Sequence, residues 1–501
     1  MTLEPPTFGA DQDEAPATRS LHRVSERDRP GGYGVVAPSR TDPVVRVASQ
    51  VVGGPAGRRV ASARGFWRAA TVLVLLGMVA LGLGVVQKQH CRSAGWKTPD
   101  QFWHACYSDI PVLFATKGLG GSDRPGLQQA VRDGAFGSPL RAAAMWAVSG
   151  LVDDDAPKVA PRRFFDLSAV VLGGLLATTV VLVVAAAGRR RWDAAHVAIA
   201  PILVTVGVVN YDLLGVTLLT AALVAWSRCR PLLCGVLLGL AVGAEPLTAV
   251  VAVAVFVVAL RAGRLRSFGI LAASAALTVV GLRLLLFPGL SGGLSASWQS
   301  FKAAVPGYGS IWLVPQLLAQ SRPSGAGFWY SGPPIGASAA TAGSLLAMVV
   351  VVVVAVALGL ASEYRPRLAL LGLFVVASCL VVSKSVPVQA SLILLPLIAL
   401  AGLRWRDHLI WATAEIAYFV GTWLYIAWVS KPDRGLPAGF YLVLLLLRLA
   451  AIAWLAAQAM RASLHAERDP VRAPEDGGPG RDDPLGGPVD EAPDVVVVRL
   501  V

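Results

Sequence analysis

The chain has 501 residues, 55% of them hydrophobic and 15% charged, with a formal net charge of +13 and a mean hydropathy of +0.61. Soluble domains carry about 25% charged residues, and a run such as SLLAMVVVVVVAVALGLA (344–361) is too apolar for a water-exposed helix, so a soluble fold is excluded. Nucleic-acid binding is excluded too: the basic residues sit in short clusters between apolar runs, as the positive-inside pattern of a multi-span membrane protein requires.

Residues 1–65 are polar, Pro/Gly-rich and Arg-rich, and read as a disordered basic cytoplasmic tail. No cleavable secretion signal is visible, so the first span (67–86) is expected to act as an anchor. Arg58, Arg59, Arg64 and Arg68, before it and at its start, place the N-terminus inside. Residues 87–163 contain no full span and form a long first extracytoplasmic loop; span 2 (164–187) returns to the basic GRRRW.

Four shorter apolar helices follow. HVAIAPILVTVGVV rises to Asn210, Tyr211 and Asp212, and LLGVTLLTAALVAW descends to SRCR. PLLCGVLLGLAVGA rises to Glu245 and Pro246, and LTAVVAVAVFVVAL descends to RAGRLR. Each falls short of the roughly 20 residues that cross a bilayer at full thickness. Their polar tips therefore either sit in a recessed, protein-walled cavity or form two ordinary outside turns.

Span 7 (268–287) carries Arg283 near its outer end, and a second extracytoplasmic loop covers 288–338. Span 8 descends to EYRPR, span 9 rises to Lys384, and span 10 descends to RWRD. Span 11 (408–429) contains Glu415 and span 12 (438–460) contains Arg448, two intramembrane charges expected to pair. Residues 463–501 read as a second disordered cytoplasmic tail. Backbone inside a bilayer must be helical or buried in protein. The predicted fold class is thus an all-α integral membrane protein with about 12 transmembrane helices, a membrane domain over 66–462, and both ends inside.

Cys91 and Cys106 share the first outside loop, where a disulfide is chemically permitted; two free thiols are the alternative. Polar groups gather on the outer side: Asp109 and Lys117 in loop 1, Asn210, Asp212 and Glu245 at the hairpin tips, Arg283 and Lys384 at span ends. Cations in such a cavity can hold a phosphate, and an acid can take a proton from an attacking hydroxyl. No phosphate-loop or metalloprotease motif is present, the six histidines are scattered, and no metal is expected. The glycine-rich GVLLGLAVGA is apolar and reads as a helix-packing face.

In their order, several motifs make the chain resemble glycosyltransferase family 87 within the GT-C superfamily, over about residues 67–460. They are YSDIPVL (107–113) followed by KGL, NYDLLGV (210–216), GVLLGLAVGAEP (235–246), GYGSIW (307–312), SKSVPVQASLILLPL (383–397) and WATAEIAYF (411–419). The resemblance implies a GT-C-like plasma-membrane enzyme that moves a sugar, expected to be mannose, from a polyprenyl-phosphate donor to a lipid or glycan acceptor on the outer face. It implies no cofactor and no nucleic acid; the partners are the lipid-linked donor, the acceptor and membrane lipids. Asp109 falls in the place of the general base. Lys384, Arg283 and Lys117 are expected at the donor phosphate, with Tyr107, Asn210, Asp212, Glu245 and Gln389 around the substrate.

Three departures from the family pattern stand out. Glu245 occupies the place of a lysine, GSPLRAAAMW (137–146) lacks an expected acid, and the segment after Lys384 reads Val386-Pro387-Val388-Gln389-Ala390. They favour, as rival readings, a non-catalytic relative that binds a lipid-linked sugar or an envelope-assembly partner. A lipid or sugar transporter is the other rival, though no repeated halves are visible.

Overall fold

The computed structural model of the chain describes residues 44, 47, 66–120, 124–132, 138–152, 159–188, 190–287, 298–299, 301–321, 335–431, 434–469, 471–472 and 483–498. The expected tail over 1–65, apart from positions 44 and 47, lies outside the described residues, as do Gly137 and much of the second loop.

Among the described residues the regular elements are all helical. The first long helix, α1 (Phe66–Gln87), leads into a loop region holding α2 (Gln89–Ala94), α3 (Asp100–Trp103), α4 (Asp109–Thr116), α5 (Leu127–Arg132) and α6 (Pro139–Ser149). Helix α7 (Ala160–Ala186) is followed by α8 (Ala195–Ala198), α9 (Ile202–Val206), α10 (Asp212–Ser227), α11 (Pro231–Ala244), α12 (Val251–Arg261) and α13 (Leu265–Leu286). The remainder is α14 (Val314–Gln320), α15 (Ala337–Ala361), α16 (Leu368–Val382), α17 (Leu394–Ala401), α18 (Trp405–Ser430) and α19 (Ala438–Leu464).

Six of these are long and apolar enough to cross a membrane: α1, α7, α13, α15, α18 and α19. The most apolar stretch of α13 is only 17% buried and that of α15 28%, against 50% for α18 and α19. The first two therefore present apolar side chains outward, as helices facing lipid do. The shorter α16 and α17 are apolar all round and buried on nearly every face, which marks them as the centre of the bundle.

The segment expected to rise as one helix over HVAIAPILVTVGVV is broken instead. Helix α8 ends before Ile199 and α9 restarts after Pro201, because proline has no N–H to donate and disfavours helical geometry in the residue before it. The glycine stripe Gly235, Gly239 and Gly243 of α11 lies against α13. A Cβ on Gly239 would come within 2.7 Å of the Ala275 carbonyl, so the backbones meet where a side chain does not fit.

The expectation of a disordered tail from 463 onward does not hold for the described part of that segment. Arg367 is fully buried and binds both carboxylate oxygens of Asp469 at 2.7 and 2.8 Å. Residues 483–498 run across the helix ends: Asp483 accepts from the Leu368 amide, and Asp494 accepts from Arg261 at 2.8 Å and Arg365 at 3.0 Å. The Val495 amide donates to the Arg261 carbonyl. Leu485, Val489 and Ala492 are buried there. Composition alone suggested solvation, but distant arginines supply the partners.

Candidate functional site

The site is built where α9 stops. A helix that ends leaves carbonyls without amide partners, and three groups of the first loop take them up. Lys88 donates to the Thr205 carbonyl at 3.2 Å. The Ser108 hydroxyl lies 2.9 and 3.2 Å from the Val208 and Val209 carbonyls, and the Asp109 amide donates to Val209 at 2.9 Å. The loop is thereby fixed to the bundle through the residues flanking its acid. Cys91 and Cys106 are joined by a disulfide, which ties α2 to the chain just before Tyr107.

Asp109 is the first residue of α4, with Ser108 as N-cap. Its carboxylate accepts from the Asn210 side chain at 3.0 Å, and the Tyr107 hydroxyl also lies close enough to favour its charged form. Burial nonetheless pushes its pKa above the ordinary aspartate value, and the nearby Asp212 carboxylate adds to the rise. A raised carboxylate pKa suits a group that must take up a proton during a reaction.

Asp212 opens α10 and is buried. One of its oxygens accepts from Arg141 at 2.6 Å; the other has no hydrogen-bond partner among the described residues. Arg141 also faces Glu245 at 3.7 Å. Burial by itself would lower the arginine pKa, but Asp212, Glu245 and Asp109 together raise it. Glu245 is pushed up by burial and by Asp212, with Arg141 opposing. Helix α6 is held in place for this contact: the Ser138 hydroxyl bonds the Ala244 carbonyl and accepts from Arg141 Nε at 2.9 Å. Gly215 makes room for the pair of tips, since a Cβ there would lie 2.7 Å from that of Glu245.

The structure thus brings together Asp109, Asn210, Asp212, Glu245 and Tyr107. The cations named from the sequence are elsewhere. Lys384 is fully buried and its ammonium is taken up by the Phe301 and Lys302 carbonyls and by Thr341 Oγ1, so it anchors the second loop. The same loop is pinned by Ser310 to the Ser383 carbonyl and by Trp312 to that of Val382. Arg283 stacks on Phe287 at 3.7 Å, and its Nε and Nη2 are without hydrogen-bond partners among the described residues. Lys117 is exposed at the end of α4. Gln389 is buried at the start of the turn Ala390–Ile393. Glu415 and Arg448 form a buried pair at 3.0 Å; Ser391 and Trp411 complete the carboxylate's partners, and Tyr418 lies under the guanidinium.

Two site residues were missed by sequence reasoning, Arg141 and Lys88. Lys88 is fully buried, lies 4.6 Å from the centre of the Phe419 ring, and has its pKa lowered to about 7 by burial, with the Asp109 charge opposing the drop. A lone lysine directly after the outer end of span 1, where basic residues are scarce, was the available signal. For Arg141 the signal was the reversed charge at Glu245, which calls for a cation opposite.

The family model for glycosyltransferase family 87 matches residues 139–383, just under half of the chain. The matched part begins at the first residue of α6 and includes Arg141, Asn210, Asp212, Glu245 and Arg283; Lys88, Tyr107 and Asp109 lie before it. No curated protein and no solved structure shows significant similarity to the chain.

Proposed function

We propose that this chain is a membrane glycosyltransferase of family 87, with a GT-C-like fold of about 12 spans, that takes a sugar, mannose by preference, from a polyprenyl-phosphate donor. The observation that carries the reading is the contact between the unmatched first loop and the matched region: Asp109 rests on Val209 and Asn210, beside Asp212 and Arg141. The acceptor hydroxyl gives its proton to Asp109 as its oxygen bonds the anomeric carbon. The bond from that carbon to the phosphate oxygen breaks with inversion, and polyprenyl phosphate leaves as an anion that needs positive charge rather than a proton. Lys88 and Arg141 are the cations nearest this chemistry. Pairing with Arg141 offsets the negative charge of Glu245, which otherwise would repel the donor.

The acidic tips and the arginine-rich helix ends lie at opposite ends of the bundle. Asp212 opens α10, whereas the segment around Gly487 packs on Trp226 at its far end. With the positive-inside tendency, this supports a site on the outer face of the plasma membrane and termini in the cytoplasm.

Membranes carrying the chain should transfer labelled mannose from polyprenyl-phosphate-mannose, and Asp109→Asn should lower that rate by about 10²–10⁴, the usual worth of a general base. Near-normal transfer by the variant would sink the assignment. A second reading is favoured by one observation: Arg141 is already engaged by two carboxylates. In that reading the chain holds a lipid-linked sugar without turning it over, and wild type and variant bind labelled donor equally while neither transfers.

A further inference from the structure

His90, Asp100 and His104 meet on the first loop, with one ligand atom from each lying within 4.8 Å of the others. His90 is on α2, Asp100 opens α3, and His104 caps its end. His90 Nε2 is 2.8 Å from one oxygen of the Asp100 carboxylate, and His104 Nδ1 is 3.2 Å from the other. The two imidazoles stack with their centres 3.6 Å apart.

We propose that these three residues form a site for a divalent transition-metal ion of the zinc type. Two imidazole nitrogens and one carboxylate oxygen are donors that such an ion accepts, whereas magnesium and calcium prefer oxygen alone. Tetrahedral zinc with bonds of about 2.0–2.2 Å holds its ligand atoms about 3.3–3.5 Å apart, and one ligand atom from each of the three residues already lies within 4.8 Å of the others. For both lone pairs to converge the rings must splay from their stack and His104 Nδ1 must leave the Asp100 carbonyl that lies 3.1 Å from it, and side chains 45% and 46% exposed have room to do so. A fourth position faces solvent. The frame is already stiff: His90 adjoins Cys91, His104 stands two residues before Cys106, and the disulfide closes the segment between them. An ion here links α2 to α3 and gives a second crosslink beneath the stretch that delivers Tyr107, Ser108 and Asp109. The intervals between positions 90, 100 and 104 match no zinc signature, which is why the sequence suggested no metal.

The inference is independent of the transferase reading and is tested without an activity assay. Protein free of any histidine tag, purified in detergent and stripped with a chelator, is titrated with Zn²⁺. One ion per chain is expected, with a rise in Tm as zinc binds the folded state and an X-ray absorption spectrum showing two imidazole ligands. His90→Ala/His104→Ala and, separately, Asp100→Asn should lower zinc affinity by about tenfold or more and remove the zinc-dependent rise in Tm. His90 and His104 are exposed and Asp100 is partly so, and elution volume and metal-free Tm should stay near wild type. Unchanged zinc affinity in both variants, or no zinc retained by wild type at micromolar concentration, overturns the proposal.

Discussion

A lysine withdrawn from solvent and given one carbonyl for three donors, as Lys88 is, carries a desolvation cost that its contacts only partly offset. The lowered pKa is the expression of that cost. Between about 7 and the ordinary lysine value of 10.5, the unfolded chain holds a proton that the folded chain does not, so stability rises with pH across that window. Lys88→Met should therefore raise Tm near neutral pH and flatten its rise on the alkaline side. The same variant should slow transfer: without the positive charge, ionised Asp109 is less favoured, and the acid limb of the pH–rate profile moves to higher pH. Lys88→Arg should keep the limb near its wild-type place. A pH series of Tm and rate on the three proteins checks both statements. Asp109 was legible in the sequence because a loop motif surrounds it. Lys88 was not, because a lysine at a span end ordinarily snorkels to the interface, and nothing local reveals that Thr205, Phe419 and Asp109 enclose it.

Elements were more legible where their composition was extreme. The glycine stripe of α11 was read as a packing face, and Gly235 and Gly239 do lie against α13. Gly239→Leu should force that contact apart, with Thr278 and the Ala275 carbonyl in the way, at a cost of at least about 1–3 kcal/mol. The measurement is Tm in detergent, with Gly281→Leu, whose Cβ position is open, as the control expected to stay near wild type. The break at Pro201 was less legible. The apolar pattern runs through it on both sides, and hydropathy does not register the loss of one amide donor. The carbonyls that the first loop takes up lie past the break, at Thr205, Val208 and Val209, where α9 stops.

At the scale of the whole molecule, apolar length gave the all-helical membrane class, while composition misjudged the segment after 463. Its acids find Arg367, Arg261 and Arg365 at sequence separations of 102, 233 and 129, which no local window reveals. Asp469→Ala takes from the fully buried Arg367 the carboxylate that hydrogen-bonds it and leaves only the longer-range charges of Asp483 and Asp193, so the loss should approach the roughly 3–5 kcal/mol that breaking a buried pair costs. A lowered Tm and faster proteolysis at the basic end should follow; unchanged values would mean that the tail is only laid on the surface.

Order of synthesis gives this docked segment a further meaning. Residues 483–498 are made after every helix they touch, so the bundle enters the membrane with Arg261 and Arg365 lacking their Asp494 contact and the Leu368 amide lacking Asp483. The basic end can close only once translation has passed that point. Arginine-lined helix ends then stand open on each newly inserted molecule for as long as the ribosome takes to reach them. A chain cut short before Asp494 lacks the contacts that close that end.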